Sequence, residues 1–569
     1  MTPKQTNTIP SLKGCFYLLL LCVAGCSTTH YKNSADKEAA SILEEKQPLV
    51  PNTDTNFTIV PFEPADLALL SVNTNKFEYF GSEAQRDVGS SILPLSNALD
   101  MAVKYNRNYL RQKEVLYLSA LQLSLDRFRF TPIFGGGADT TYQERAREVA
   151  GSVDQLTTDR SIRGGGNIGV NKLMRSGTRI AADFTTDFLR FVSGDPSLTT
   201  SSRLAATISQ PLWRGAGYRV TIENLTQAER SLLYDLRDFT RFRREFTVSI
   251  AQQYYNVLQS RDQVRNQWQG YQAARKNALR EKANYDEGFQ TLTELGRFEQ
   301  QELQGELAWI AAVRSYQQSI DAFKIQLGLP TDTQLLLDDT ELANLKIDPP
   351  DLSAEDAIEV ALSNRLDLFT VRDQYDDAER KIKVAANALG PDFDLTLSGA
   401  LDSEPGNGFQ VPKFDRSSWS AGLNLDLPLN RKAERNAYRQ RLIIFEQARR
   451  ALELAIDNVK LDILNAWRNL DQAERSYKIQ NISVALAASR LEEQEILAAQ
   501  GEARAQDVLD ALNDFTNAQN SRSRELVDYN IARLQFWRDM GVLAIQEDGQ
   551  WSEDATEAQL TLNSNELIE

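Results

Sequence analysis

The chain has 569 residues and a formal net charge of −16 at pH 7, with 42% apolar and 25% charged residues. These shares are normal for folded protein, and the acidic balance without a long Lys/Arg tract argues against nucleic acid as a partner. All three cysteines, Cys15, Cys22 and Cys26, and the only histidine, His30, lie at the N-terminus. The rest of the chain therefore has no thiol, imidazole or disulfide. We expect no enzyme, no metal site and no cofactor.

The N-terminus has the pattern of a secretory signal. Two lysines precede an apolar run over residues 15–24, which is too short for a confident spanning helix. The sequence Val23-Ala24-Gly25-Cys26 resembles a bacterial lipobox, which implies that Cys26 becomes an acylated, palmitate-bearing N-terminus. Ser27 resembles the residue that permits sorting to the outer membrane. The alternative is ordinary signal-peptidase cleavage with an unmodified cysteine.

The chain contains an internal repeat at two fixed offsets, 259 residues in the early part of each copy and 213 residues in the later part. Such a repeat indicates a tandem duplication. The early pairs are Ala98/Ala357, Ala102/Ala361 and Pro132/Pro391, and the later pairs are Ile250/Ile463, Gln259/Gln472, Gly288/Gly501, Tyr316/Tyr529, Phe323/Phe536 and Gly328/Gly541.

The repeats and the N-terminal signal divide the chain into five predicted parts. These are a lipoprotein signal peptide (1–25), a lipid-anchored tether and packing segment (26–92), a first repeat (93–329), a second repeat (330–543) and a polar tail (544–569). We expect β regions at about 132–213 and 391–429, each followed by a long helical hairpin, at about 214–328 and 430–541.

The helical parts are unusually long. Residues 431–500 contain neither glycine nor proline, which corresponds to about 105 Å of helix. Apolar residues recur there at steps of three and four, which makes a narrow seam typical of side-by-side helix packing. They are Ile456, Val459, Ile463, Ala466 and Leu470. An ordinary coiled coil has the same pattern, so the helices alone do not decide the fold.

The β regions alternate apolar and polar residues. Leu423, Leu425 and Leu427 alternate with Asn424 and Asp426, and the first copy has similar runs. A few such strands cannot close a barrel or cover one another, so they need other copies of the chain. Lipid outside and water inside suits a barrel shared between subunits.

These features together resemble the TolC-like outer membrane efflux family, lipoprotein type, from about residue 93 to residue 543. The repeat start Leu95-Ser96-Asn97-Ala98-Leu99, the junctions 210–217 and 427–431, and the hairpin end 327–330 carry the resemblance. It implies an α+β membrane protein, a tandem-duplicated protomer of a trimeric outer-membrane β-barrel continued by a periplasmic α-helical barrel. The implied partners are two further copies, outer-membrane lipid, a periplasmic adaptor (membrane fusion) protein and an inner-membrane transporter.

The first β region departs from the family pattern of four strands per protomer. It is longer than the second by 42 residues, and its surplus predicts one more hairpin, with strands in 167–170 and 178–188. The sequence does not decide whether this hairpin lies in the barrel wall, outside the membrane or inside the lumen. The surplus also contains Gly164–Gly169, a literal G-x-G-x-x-G, but no helix follows, which argues against a dinucleotide site.

The candidate functional residues lie where the long helices reverse. The segment 501–511 resembles the family's inner tip, which implies that Asp507 and Asp510 line the periplasmic aperture with Arg504 nearby. Their spacing of three places both carboxylates on one helix face, and in a trimer they would form two acidic rings that favour cations. Ordinary surface aspartates near a helix start are the alternative. For adaptor contact we expect Gly288, Leu295 and Gly501, which could also be turn and packing residues.

The sequence therefore predicts a passive outer-membrane exit channel of a tripartite efflux or type I secretion system. A periplasmic helical scaffold lipoprotein without a pore is the alternative, and the period-two strands argue against it. A carboxylate-based glycan hydrolase is a third reading. It needs a concave cleft with two carboxylates at a fixed separation, and nothing in the sequence indicates one.

Overall fold

The computed structural model describes residues 27–53, 67, 70–85, 87–148, 156–191, 198–350, 352–427, 429–500, 502, 504–553 and 556. Cys26, Gly501 and the predicted signal peptide lie outside these described residues. The chain forms two compact units. One comprises the described parts of Met1–Lys46, Tyr117–Tyr234 and Arg372–Arg450, and the other comprises those of Gln47–Leu116, Asp235–Val371 and Ala451–Glu569.

Helices and strands follow the same order in the two halves of the chain. The first half contains α1 (Thr28–Lys46), β1 (Ser91–Leu93), α2 (Leu95–Tyr105), α3 (Arg107–Phe128), β2 (Ile133–Glu148), β3 (Leu156–Leu173), β4 (Arg179–Phe191), β5 (Leu198–Pro211), α4 (Tyr218–Thr221), α5 (Glu223–Asp286) and α6 (Leu292–Gln326). The second contains β6 (Leu335–Leu337), α7 (Thr340–Asn344), α8 (Ala354–Asn364), α9 (Leu366–Asn387), β7 (Asp392–Asp402), β8 (Ser417–Asp426), α10 (Lys432–Ala499) and α11 (Ala505–Met540). Short 3-10 segments lie at Gln47–Leu49, Glu78–Gln85 and Phe414–Arg416.

One antiparallel sheet of six strands, in the order β2-β3-β4-β5-β7-β8, dominates the first unit. Four of its strands come from the first β region and two from the second, so the predicted additional hairpin is confirmed. The glycine-rich segment 164–169 lies inside β3 and not in a loop before a helix. It therefore lacks the helix N-terminus that a phosphate-binding loop needs.

An N-terminal helix that the sequence analysis did not predict packs within the first unit. Helix α1 buries Ala39, Ile42 and Leu43. The Tyr117 hydroxyl donates a hydrogen bond to Asp36, and Arg127 Nη1 lies 2.8 Å from Glu45 Oε2. The part of the tether segment nearest Cys26 is therefore helical and held by side-chain contacts.

The second unit contains the short parallel pair β1–β6 and most of the buried aromatic side chains. Ser91 pairs with Leu335 and Leu93 with Leu337, so the two repeats begin side by side. Helix α10 buries Val459, Ile463, Ala466 and Leu470, which confirms the predicted apolar seam. None of the described helices is long and apolar enough to cross a membrane.

Two glycines show the duplication in three dimensions. Gly328 and Gly541 both have φ of +78°, in the left-handed region that favours glycine. A Cβ on Gly328 would overlap the Tyr105 carbonyl, and one on Gly541 would lie 3.0 Å from the Asn364 carbonyl oxygen. Tyr105 and Asn364 are 259 residues apart and the two glycines 213 apart, the two offsets of the sequence repeat. Each long hairpin therefore ends against the same place in its own repeat.

Candidate functional site

The first of the two reversals between long helices connects α5 to α6. Gly288 adopts φ of +83°, and its amide donates to the Tyr285 carbonyl at 2.9 Å. The hydroxyl of Thr291 then accepts a hydrogen bond from the Glu294 amide at 3.2 Å and caps α6. A left-handed glycine at the end of one helix and a threonine cap at the start of the next explain why the chain reverses here.

The second turn connects α10 to α11. The Glu502 amide donates to the Leu497 carbonyl at 2.9 Å, and the Asp507 amide donates to the Arg504 carbonyl at 3.0 Å. Arg504 occupies the N-cap position with extended backbone and no side-chain cap. Asp507 lies in the first turn of α11, where its negative charge interacts favourably with the partial positive charge of the helix N-terminus.

Asp507 and Asp510 are both exposed, whereas Val508, Leu509, Ala511 and Leu512 are buried. The two carboxylates therefore lie on the side of α11 that faces away from its packing surface. The side-chain amide of Gln506 donates a hydrogen bond from Nε2 to Asp510 Oδ1 at 2.8 Å. Arg504 is exposed, and in the described part of the chain it makes no ion pair with either aspartate.

Packing between the helices holds the two turns in place. Ala278 of α5, Phe298 of α6 and Leu509 of α11 form one buried cluster. Gln301 Nε2 donates to Asn513 Oδ1 at 2.8 Å, which ties α6 to α11. Arg490 Nη1 lies 2.6 Å from Asp514 Oδ2, which ties α10 to α11.

The residues expected at the adaptor surface have different surroundings. Gly288 is exposed, and no atom lies within 4 Å of a Cβ built on it. Leu295 is only 6% exposed and packs among the helices of its own chain. Sequence reasoning missed Phe289 and Leu292, which are 76% and 66% exposed beside Gly288. For Phe289 the available signal was its position, because a bulky apolar residue directly after a helix-ending glycine has little room to pack inward.

A charged cavity of about 510 Å³ lies in the same unit, away from the turns. Arg241, Arg244, Arg365 and Arg538 line it together with several carboxylates, including Asp367. Arg244 is 3% exposed, and its Nε has no hydrogen-bond partner among the described residues. Burial, reinforced by the charge of Arg243, lowers the pKa of Arg244 to about 10. The repeat pattern carries no signal for this buried cation.

Among the described residues, no group of three or more His, Cys, Asp or Glu side chains is arranged to hold a metal ion.

These elements define a class of protein. Among the described residues, the fold combines long paired helices, a duplicated chain and an amphipathic sheet with two open edges. Residues 357–538 match the sequence model of a family described as outer membrane efflux protein. The predicted resemblance to TolC-like outer membrane efflux proteins and the predicted α+β fold class are thereby confirmed.

Several solved outer-membrane channels share this fold. CusC, described with transmembrane channel formation, superposes with a TM-score of 0.57 at 13% identity, over 87% of this chain and 99% of CusC. The outer membrane channel CmeC of Campylobacter jejuni gives 0.56 at 15%, over 90% and 98%. The open-state channel MtrE of Neisseria gonorrhoeae gives 0.56 at 15%, over 87% and 100%. No curated protein sequence matches significantly.

Proposed function

We propose that this chain forms a passive exit channel in the outer membrane of a Gram-negative bacterium. Three copies close the barrel, and the channel works with a periplasmic adaptor and an inner-membrane transporter in efflux or type I secretion. The chain catalyses no reaction. The observation that carries the proposal is the amphipathic sheet with two open edges, because exposed edges within a membrane must pair with other strands.

We further propose that Cys26 carries the lipid anchor. The lipobox-like sequence before Cys26 supports the anchor. Helix α1 begins at Thr28 and packs within the first unit, so only a short link would separate it from the acylated residue. Mass spectrometry of the mature N-terminus tests the anchor, and an unmodified thiol at Cys26 would disprove it.

In this proposal Asp507 and Asp510 form the aperture, as two rings of three carboxylates with Arg504 beside them. The exposure of both side chains on one side of α11 supports this role. Closely spaced negative rings attract cations and repel anions. Gly288, Leu295 and Gly501 belong to the adaptor surface, where Gly288 shapes the turn and Leu295 supports it from beneath.

Single-channel conductance in planar bilayers tests the proposal. We expect cation-selective openings in the wild type and reduced cation selectivity in the Asp507→Ala, Asp510→Ala double variant. The matched control is Asp286→Ala, Glu287→Ala, which removes the same charge from exposed positions at the other turn and should leave selectivity unchanged. Equal loss in both variants would assign the effect to general surface charge.

A scaffold without a pore is the competing function. Folded, heat-modifiable trimers that stay silent in the wild type and in the double variant would favour it. Retained conductance in either protein would exclude it.

A further inference from the structure

The six strands of the sheet carry one continuous apolar face. Residues that lie directly opposite each other on neighbouring strands share a face of the sheet. One such row runs Phe134–Val170–Ala182–Ala206–Gly399–Trp419. The next row of this face includes Ile168, Phe184 and Leu204. Phe134 is 77%, Ile168 68% and Trp419 84% exposed in the single chain. Along these two rows the apolar surface therefore extends from the second β region across the sheet to β2 and β3.

The opposite face is polar along the same strands. One row joins Asn167, Thr185, Arg203 and Asp402, and another joins Asp139, Gly165 and Asp187. A Cβ on Gly165 would lie 2.8 Å from Asp139 Oδ1 and 3.3 Å from Asp187 Oδ1. This glycine leaves space for two carboxylates on neighbouring strands. Gly165 and Gly169, whose built Cβ atoms would meet aspartate carboxylates, therefore have a packing role on the polar face.

We propose that β2 and β3, the two strands of the sheet beyond the four-strand set β4, β5, β7 and β8, are part of the membrane wall, so that each copy contributes six strands to the barrel. The hydrocarbon of the bilayer covers their apolar face. The free edge of β2 pairs with β8 of the next copy. This proposal rests on the proposed channel function and its three copies, and it extends that function by fixing the composition of the wall.

Strand length and direction agree with this placement. Strands β2 and β3 have 16 and 18 residues, more than the roughly 9–11 residues that a tilted strand needs to cross a bilayer. Each strand of the sheet runs antiparallel to its neighbour, and six is an even number. Strands β2 and β8 therefore run in opposite directions, so adjacent copies can join with the antiparallel pairing used inside the sheet.

Placement in the lumen or outside the membrane would conflict with these surfaces. Phe134 and Ile168 would then face water, although their partners across the sheet continue the apolar face of β4, β5, β7 and β8. Exposed apolar surface of this extent costs free energy that burial in lipid removes.

The consequence is a wider pore at the outer membrane. Three copies of a six-stranded sheet give eighteen strands. With strands about 4.8 Å apart and tilted by about 40°, the wall radius is about 18 Å, against about 12 Å for twelve strands. The backbone radius therefore increases about 1.5-fold over a barrel of four strands per copy.

Single cysteines on neighbouring residues of β3 test the wall. The chain has no cysteine after Cys26, so Asn167→Cys and Ile168→Cys each introduce the only thiol downstream of the proposed anchor. In native membranes we expect a charged maleimide to label position 167 at least tenfold faster than position 168. A bimane probe at 168, but not at 167, should be quenched by nitroxide-labelled lipids.

Thr207→Cys and Ile208→Cys in β5 form the matched control, because these residues occupy the two faces of a strand within the four-strand family pattern. Alternation at both pairs supports the proposal. Alternation at 207/208 but equal labelling at 167/168 would overturn it and leave the channel function intact. Absence of alternation at both pairs would instead contradict the proposed barrel itself.

Disulfide trapping between copies provides a second readout. A cysteine scanned along β2, combined with one in β8, should give an oxidation-dependent trimer ladder in denaturing gels. The same scan of β4 against β8 is the control. Crosslinks between β4 and β8, with none between β2 and β8, would mean a wall of four strands per copy and would refute the proposal.

Discussion

Arg127 joins three helices of the first unit, and its removal gives a sharp test of how α1 is held. Its Nε lies 2.7 Å from Glu229 Oε1, and its Nη1 lies 2.8 Å from Glu45 Oε2. Lys46 also contacts Glu229. Arg127→Met keeps most of the apolar stem but removes both charge-assisted interactions, so we expect local opening of α1 to become easier.

The magnitude follows from exposure. The Glu45 side chain is 53% exposed, so its pair with Arg127 contributes only about 0.5 kcal/mol. The Glu229 side chain is 24% exposed and hydrogen-bonded to Arg127, for which about 1–1.5 kcal/mol is reasonable. Because the Arg127–Glu229 pair joins α3 to α5 and stays formed when α1 opens, only the Glu45 pair counts toward α1. Its loss of about 0.5 kcal/mol corresponds to roughly twofold faster hydrogen exchange in α1.

The pH dependence has a definite sign. The hydrogen bond from Arg127 lowers the pKa of Glu45 below its ordinary value of 4.5. Burial alone would raise the pKa of Glu229, but hydrogen bonds from Arg127 and Lys46 outweigh it and lower the pKa. A carboxylate with a lowered folded-state pKa stabilises the fold above its unfolded-state pKa of about 4.5. This contribution is lost as the pH falls from about 4.5 through the folded-state pKa. The protection of α1 should therefore decrease below about pH 4.5 in the wild type, and less so in Arg127→Met.

Hydrogen exchange with mass spectrometry over residues 28–46 measures both effects. The matched control is Arg129→Met, which removes the same charge two residues away. Among the described residues, the ion pair of Arg129 is with Asp126 of α3, at 3.2 Å, and not with α1. Unchanged α1 protection in Arg127→Met, or an equal loss in both variants, would refute the assigned role of Arg127.

Two further predictions concern the ends of the long hairpins. Gly541→Ala should destabilise the fold by about 1–2 kcal/mol, because φ is +78° and the new Cβ would lie 3.0 Å from the Asn364 carbonyl oxygen; thermal unfolding should show a lower midpoint than for Gly296→Ala, a helical position with open space. Phe289→Ser with Leu292→Ser should leave trimers intact but weaken capture of a purified cognate adaptor about tenfold or more, since these exposed side chains offer apolar contact area; undiminished capture would remove them from the adaptor surface.

Much of the fold followed from patterns local in sequence. The seam of Val459, Ile463 and Ala466 was predictable, because the helical period places residues three and four apart on one face. The additional hairpin in the first β region was likewise predictable, because strands alternate with a period of two. The offsets of 259 and 213 identified the duplication before any contact was known.

The candidate site was predictable only in part. Gly288 and Gly501 marked the two reversals between long helices, and the spacing of Asp507 and Asp510 indicated a shared helix face. The burial of Leu295 and the buried cation at Arg244 were not predictable, since each depends on which other helices pack around the residue.

The sequence by itself determined the long helices, the alternating strands and the turns between the long helices, because propensity, period and glycine positions act over a few residues. Only the tertiary structure decided that β2 and β3 continue the sheet of β5 and β7. Strand partners are chosen by hydrogen bonding and matching faces between residues as far apart as Ala206 and Gly399, and no local pattern specifies that pairing.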